Sequence, residues 1–279
     1  MIHRVAEPLF GAGAARVARD LAYRYARHLY REFDCVYTLG EPQRAVLGAL
    51  GITHTRVMPL GVDPDLFHPD KRDPGYRVSL GLSGTGPLLV YAGRIDNEKR
   101  ADTLVKMFRK LPSDLGAAMV LIGDGKLRQS LTEESRGLPI AFPGFETDRA
   151  RLARALASSD IYVSGMADET FGISVIEAQA AGLPVVGVTG GAMPDRVPAG
   201  LGYLGPVDDA DAMAANVLRV WRDGPAAIGV RARAHAEQFD WRATFGQLFG
   251  AIYPAALARR TQRISDAARW QIGPASLAR

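Results

Sequence analysis

Pro87-Leu88-Leu89-Val90-Tyr91-Ala92-Gly93-Arg94-Ile95-Asp96-Asn97-Glu98-Lys99 is the stretch that decides the fold. A run of apolar residues without polar alternation ends on a glycine, and a polar turn follows. A strand that is apolar at every position has both faces covered, as happens inside a parallel sheet. The pattern repeats down the chain. Further strands are expected at 117–122, 138–142, 160–164 and 184–188, with helices near 99–111, 126–134, 148–157 and 172–181. Strand and helix in strict alternation predict an α/β domain built on a doubly wound parallel sheet.

Outward from that core the pattern changes. Residues 60–75 carry Pro64, Pro69, Pro74, Gly61 and Gly75 and read as a linker between domains. Upstream lie a helix at 14–33, a strand at 35–38, a helix at 42–50 and a strand at 56–59, a partial N-terminal α/β segment too short to be a doubly wound domain itself. Downstream the chain reads as helices at 208–221, 226–239 and 241–257. The tail 258–279 is either a loose helix or disordered. The expected division is 1–62, a central domain 63–240, and a C-terminal helix with tail at 241–279.

In an open α/β sheet, ligands bind beyond the carboxyl ends of the strands. The polar residues of this chain fall there: 93–99 after the first strand, Gly123-Asp124-Gly125 after the second, Pro143-Gly144-Phe145 after the third, 168–171 after the fourth, and Gly190-Gly191 after the fifth. In Ala167-Asp168-Glu169-Thr170-Phe171-Gly172-Ile173-Ser174-Val175-Ile176-Glu177-Ala178, Glu169 precedes a helix start and Glu177 lies inside the helix. Between them Phe171, Gly172 and Ile173 would offer unpaired backbone N–H groups at the positive end of the helix dipole. Such an arrangement can hold an anion and grip the hydroxyls of a sugar attached to it, which reads as a nucleotide-sugar site. Arg94 and Lys99 are the expected phosphate ligands, one a planar fork and the other a compact point charge. Lys99 lies at a helix start, where the dipole disfavours a cation unless an anion joins it.

Composition sets bounds on the alternatives. The 279 residues are 47% apolar and 23% charged, ordinary for a globular protein, and a net charge of +4 makes no case for nucleic acid. Cys35 is the single cysteine, so no intrachain disulfide forms and a reducing compartment is expected. No window approaches the ~18 apolar residues of a membrane span, and the first ten residues, with Arg4, Glu7 and Pro8, make no signal-peptide core. A cytoplasmic protein is expected. Gly11-Ala12-Gly13 follows no credible strand and is not a dinucleotide fingerprint. Asp208-Asp209-Ala210-Asp211 reads as a helix cap rather than a metal site. Helix 14–33 places Arg16, Arg19, Arg24, Arg27 and Arg31 on one face and Val17, Leu21, Tyr25, Leu29 and Phe33 on the other. The expected outcome is a solvated face over a packed one; the sharper reading is a dock for anionic lipid.

The whole set resembles the group 1 (family 4) retaining glycosyltransferases of the GT-B fold. The matching residues are Tyr91-Ala92-Gly93-Arg94 with Glu98-Lys99, Leu121-Ile122-Gly123-Asp124-Gly125 and Ser158-Ser159-Asp160-Ile161. To these are added Glu169-x-Phe171-Gly172 with Glu177-Ala178, 181–186, and Gly61-Val62-Asp63 before Phe67-x-Pro69. The resemblance implies a Rossmann-like donor domain. It implies that Arg94 and Lys99 bind the donor diphosphate, Glu177 the ribose hydroxyls and Glu169 the transferred sugar. Backbone contacts from Phe171, Gly172 and Ile173 follow, with Gly93, Gly123 and Gly125 in the donor loops and Phe145 lining the base. It further implies no metal and no cofactor beyond the donor, a lipid or saccharide acceptor, peripheral contact with the inner face of a membrane, and no nucleic acid.

The chain departs from that family in two places. Arg100 stands where the family usually has glycine. Most of the N-terminal acceptor domain, with its Gly-rich loop and histidine, is expected to be lacking, and His3, His28 and His54 sit in no matching context. The leading function is transfer of a hexose from a UDP- or GDP-sugar with retention of configuration. The alternative is a donor-binding half, inactive alone or needing a separate acceptor-domain partner. A nucleotide-sugar epimerase of the same fold ranks last, because it is not expected to carry the spaced glutamates.

Overall fold

The computed structural model describes residues 2–271, with side chains from Gly13 to Asp266 apart from Ala15. Two compact units divide the chain, one formed by Leu60–Ala243 and the other by the described residues on either side of it. The segments read from sequence as 1–62 and 241–279 thus fall largely in the same unit.

In the flanking unit a long helix α1 (Ile2–Tyr30) precedes β1 (Val36–Thr38), α2 (Glu41–Ala49) and β2 (Thr55–Val57), and β1 and β2 pair in parallel. Gly11-Ala12-Gly13 lies inside α1, away from any strand end. The apolar face expected to be packed is not: Val17, Leu21 and Tyr25 are each about 60% exposed or more.

The central unit opens with the stretch expected to be a linker, and it is packed. Phe67 is buried, and Arg233 Nη1 donates to the carbonyls of Pro64, Phe67 and Ala180. Beyond a short α3 (Tyr76–Ser79) the alternation begins: β3 (Leu88–Ala92), α4 (Ala101–Phe108), β4 (Ala118–Ile122), α5 (Arg128–Glu134), β5 (Ile140–Gly144), α6 (Arg149–Ala157) and β6 (Ile161–Val163). It continues through α7 (Ile173–Ala180), β7 (Val185–Val188), α8 (Met193–Arg196), β8 (Gly202–Gly205), α9 (Ala210–Asp223) and α10 (Pro225–Ala236). The strands form one parallel sheet of six in the order β5-β4-β3-β6-β7-β8. The doubly wound expectation holds. Every residue of β3 and β4 is buried, and each large aliphatic side chain so placed contributes about 1.5–3 kcal/mol.

Two details differ from the sequence expectation. The strand expected at 138–142 runs to Gly144, so Pro143 and Gly144 lie in the strand rather than the loop. Pro143 lacks an N–H, and β5 tolerates it as an edge strand with one side unpaired. The second difference is β8, Gly-Tyr-Leu-Gly, whose glycines give no apolar run to read. A Cβ at Gly202 would overlap the Val185 carbonyl on the neighbouring strand, so glycine is what lets β8 approach. Past α10, α11 (Trp241–Gln247) crosses the boundary between the units, and a π-turn leads into α12 (Tyr253–Gln271). The helix expected at 241–257 is therefore present, with one wide turn at Leu248–Ile252, and it runs on to Gln271. Of the tail, residues 272–279 lie outside the described residues.

Candidate active site

The strand order reverses between β3 and β6, and the loops leaving these two strands define the switch-point crevice where such sheets bind ligands. The loop after β3 is fixed from below. Tyr91 Oη donates to the Arg94 carbonyl at 2.6 Å, and a side chain at Gly93 would put its Cβ 2.7 Å from that hydroxyl. Burial, chiefly, pushes the Tyr91 phenol well above its ordinary pKa, so it stays a neutral donor. The Arg94 guanidinium is more than half exposed, held between Asp96 at 2.7 Å and Glu98 at 2.6 Å. Asp96 also accepts the Lys99 N–H at 2.9 Å. One carboxylate therefore orders both the Arg94 side chain and the Lys99 backbone.

Lys99 Nζ reaches Glu169 Oε2 at 3.3 Å, and both side chains are mostly buried, 24% and 14% exposed. The other Glu169 oxygen accepts the N–H groups of Gly172 at 3.0 Å and Thr170 at 3.2 Å. This corrects one expectation: the Gly172 N–H at the start of α7 is not unpaired, because Glu169 occupies it. Gly172 has φ 83°, which glycine adopts without strain. The Phe171 side chain is buried and turned inward, its ring 4.3 Å from the Arg196 guanidinium carbon, which also covers Phe239. Ile173 is partly exposed at the first position of α7.

Glu177 lies in α7 with its carboxylate 7% exposed and paired to Arg149 Nη2. Burial raises its pKa above the carboxylate norm, and Arg149 pulls it back. Arg149 itself stands over the Phe67 ring, 4.8 Å from its centroid. Glu177 and Arg149 line a cavity of about 460 Å³ together with Gly93, Arg94, Gly123 and Phe145 of the expected site residues and with Ser174. Ser174 accepts from Tyr162 Oη at 2.9 Å, which ties α7 to β6. Phe145 is 74% exposed and stands between this cavity and an adjoining one of about 390 Å³ lined by Tyr76, Glu146 and Arg151.

Lys99, Glu169, Gly125, Phe171, Gly172 and Ile173 do not line the larger cavity. Lys99 and Glu169 are joined to its rim through Asp96 and Arg94. Gly125 has a backbone reason for its identity: at φ 157° its Cβ would overlap the Ile95 carbonyl. Gly123 has the same reason against Gly93 and lines the cavity as well.

Arg149, Asp96 and Ser174 went unread in the sequence. Arg149 had a signal: it opens a helix that Asp148 caps, a position where a cation is disfavoured, as argued for Lys99. Asp209 caps α9 by accepting the Ala212 N–H at 2.8 Å, while Asp208 and Asp211 are each engaged by a cation, Arg100 and Lys110. His54 spends Nε2 on the Tyr30 carbonyl.

Known proteins resemble this chain in sequence and in fold. A family profile described as "Glycosyl transferases group 1" matches residues 86–223. The chain is 33% identical over 218 residues to the sulfoquinovosyl transferase SQD2 of Arabidopsis thaliana, covering 75% of this chain and 42% of that protein. It is 33% identical over 238 residues to a GDP-mannose-dependent alpha-(1-6)-phosphatidylinositol dimannoside mannosyltransferase of Mycobacterium tuberculosis, covering 85% of this chain and 62% of that one. Among solved structures, a sucrose-phosphate synthase from Thermosynechococcus elongatus superposes with a TM-score of 0.74 at 25% identity, covering 91% of this chain and 67% of that one. Anabaena HepE, solved with UDP and glucose, shares the fold at a TM-score of 0.70 and 21% identity, covering 83% and 66% of the two chains. The chain thus spans 42% to 62% of the length of those two curated relatives. With its six-stranded parallel sheet, its switch-point loops and these matches, the chain belongs to the group 1 glycosyltransferases of the GT-B fold.

Proposed function

We propose that this chain binds a nucleoside-diphosphate hexose at the switch-point crevice and supplies the donor side of hexosyl transfer to a lipid or saccharide acceptor. The observation that carries the reading is the linked set of charges. Arg94 and Lys99 are ordered by one carboxylate, Asp96, and Lys99 in turn meets Glu169. Glu177 closes the other side of the cavity that Arg94 lines. In this reading Arg94 and Lys99 bind the diphosphate, Glu177 accepts from the ribose hydroxyls, and Glu169 accepts from hydroxyls of the hexose. Phe145 lies against the base, and the backbone from Phe171 to Ile173 completes the grip on the donor.

Negative charge grows on the diphosphate as the bond from the anomeric carbon to phosphate oxygen breaks. Fixed cations stabilise that charge more than the ground state, and losing one such contact commonly costs ~10²–10³ in rate. These two cations are the reason no metal is invoked. Retention follows when the acceptor oxygen attacks from the face the diphosphate leaves. The acceptor proton then passes to a leaving phosphate oxygen, so no enzyme base is needed. The names of relatives favour such donors: one uses GDP-mannose, and HepE was solved with UDP-glucose.

A lipid acceptor would bring the chain to a membrane surface on the cytoplasmic side. α1 suits that placement, since Arg16, Arg24, Arg27 and Arg31 are exposed beside exposed Val17, Leu21 and Tyr25. No helix among the described residues is long and apolar enough to cross a membrane. A second reading, a donor-binding half that works with acceptor-side residues from another polypeptide, draws on one observation. Every proposed donor residue lies within the single unit Leu60–Ala243.

A thermal-shift screen with UDP-, GDP- and ADP-sugars tests the proposal. A ligand at 100 times its dissociation constant stabilises by about 2.7 kcal/mol. One family of nucleotides should raise the melting temperature by several degrees, and no shift with any of them at millimolar concentration would contradict donor binding.

A further inference from the structure

Among the described residues, the non-glycine residues with positive φ are Arg100, at 53°, and Asp208, at 62°. They lie 108 residues apart and are bonded to each other, with Arg100 Nη1 2.7 Å from each Asp208 oxygen. Aspartate enters the left-handed region with little difficulty, whereas arginine there is uncommon. The strained arginine directly follows Lys99.

Local packing shows what the strain holds in place. Arg100 is the N-terminal cap position of α4, and its carbonyl accepts the Thr103 N–H at 3.1 Å. A Cβ on Gly165, in the chain leaving β6, would lie 3.0 Å from the Arg100 carbonyl oxygen and 3.1 Å from Arg100 Cβ. The turn therefore rests on backbone with no room beneath it. Above it the Arg100 side chain is three-quarters buried, and its Nε has no hydrogen-bond partner. Asp208 is the group that satisfies the guanidinium. It stands one residue before Asp209, the cap of α9, so the ion pair joins the starts of two helices, and Lys110, just past the far end of α4, meets Asp211 in the first turn of α9 at 2.9 Å.

We propose that the Arg100–Asp208 pair is a positioning device for Lys99. It holds a left-handed turn that glycine would hold unaided, and so keeps the Lys99 ammonium beside Glu169, aimed at the donor diphosphate. The proposal rests on the reading of Lys99 as a phosphate ligand. Arg100 and Asp208 touch no substrate in it; they act through the backbone of the neighbouring lysine. Without Asp208, the turn at 100 loses what offsets its strain and relaxes towards negative φ, which rotates the peptide that carries Lys99.

Calorimetric titration with UDP and GDP tests this on the full chain, using Asp208→Ala, the double variant Asp208→Ala/Arg100→Gly, and Lys99→Ala. Asp208→Ala should weaken nucleotide binding roughly tenfold, the factor that about 1.4 kcal/mol represents. Adding Arg100→Gly should restore most of that loss, because glycine adopts positive φ freely. A merely structural pair would lower the melting temperature of Asp208→Ala and leave its affinity intact, and that result overturns the proposal. Failure of the glycine to rescue overturns it too. Asp208→Asn, close to isosteric, replaces the alanine variant if the latter does not fold. Lys99→Ala separates the two levels. If it leaves affinity unchanged, the reading of Lys99 fails and positioning falls with it; if it weakens binding while Asp208→Ala does not, positioning alone is wrong.

Discussion

Glu177→Gln removes one negative charge from the proposed ribose site and leaves the side chain nearly the same size. The structure separates its effects on folding and binding. The Glu177 carboxylate is 7% exposed and meets Arg149, whose own side chain is 54% exposed. Removing a partner from a fully buried pair is costly because a desolvated charge is stranded. Here the guanidinium left behind keeps access to water, and the substitution also relieves the burial of a carboxylate. The two terms oppose each other, so the stability change should stay within about 1 kcal/mol, a few degrees at most for a unit of this size. Binding has no such compensation. A hydrogen bond to a charged group contributes about 1.5–3 kcal/mol, so affinity for the preferred nucleotide should fall roughly 10- to 150-fold. Calorimetry with UDP and GDP beside a thermal melt reads both quantities from one preparation. A variant that melts like the parent and binds like the parent would refute the assignment of Glu177 to the donor.

Three further outcomes follow from the same geometry. Arg149→Met takes away the group that lowers the Glu177 pKa and leaves the burial that raises it. Because that pKa already lies above 4.5, the folded state holds this proton more tightly than the unfolded chain. The group therefore favours folding at low pH, and that contribution fades as pH rises through the window above 4.5. Donor binding runs the other way and should fail as pH drops through the raised pKa, with the failing limb moved to higher pH in Arg149→Met; an unmoved profile would exclude this link. Gly123→Ala forces a Cβ into the Gly93 carbonyl at φ 149° and should lower stability by about 1–3 kcal/mol or more by denaturant melt, along with nucleotide affinity. Phe145→Ala touches an exposed ring, so the melt should barely change, while loss of stacking on the base costs about 1–3 kcal/mol of nucleotide affinity.

The central sheet was legible because its strands are apolar on both faces, a pattern that burial alone explains. Where burial is not written in side chains, the sequence is silent. β8 is defined by glycines that admit a close neighbour, and β5 extends through Pro143 because an edge strand needs only one side paired. Glu169 and Glu177 were readable from their places around a helix start, but their partners were not. Glu169 turns back to the Gly172 N–H, a local bond that competes with any anion, and Glu177 meets Arg149 from another helix. The first is a contact within one turn and the second joins residues 28 apart, and periodicity encodes neither. The apolar face of α1 shows the converse. Its 3.6-residue pattern fits packing, yet Val17, Leu21 and Tyr25 remain exposed, because a pattern specifies a face and not what covers it.

A crystal structure of this chain with a nucleoside-diphosphate hexose tests the central claim most directly. The expected density places phosphate oxygens about 3 Å from Arg94 and Lys99, with the ribose hydroxyls on the Glu177 carboxylate. Nucleotide bound away from these groups, or a crevice still empty at millimolar donor, would contradict it.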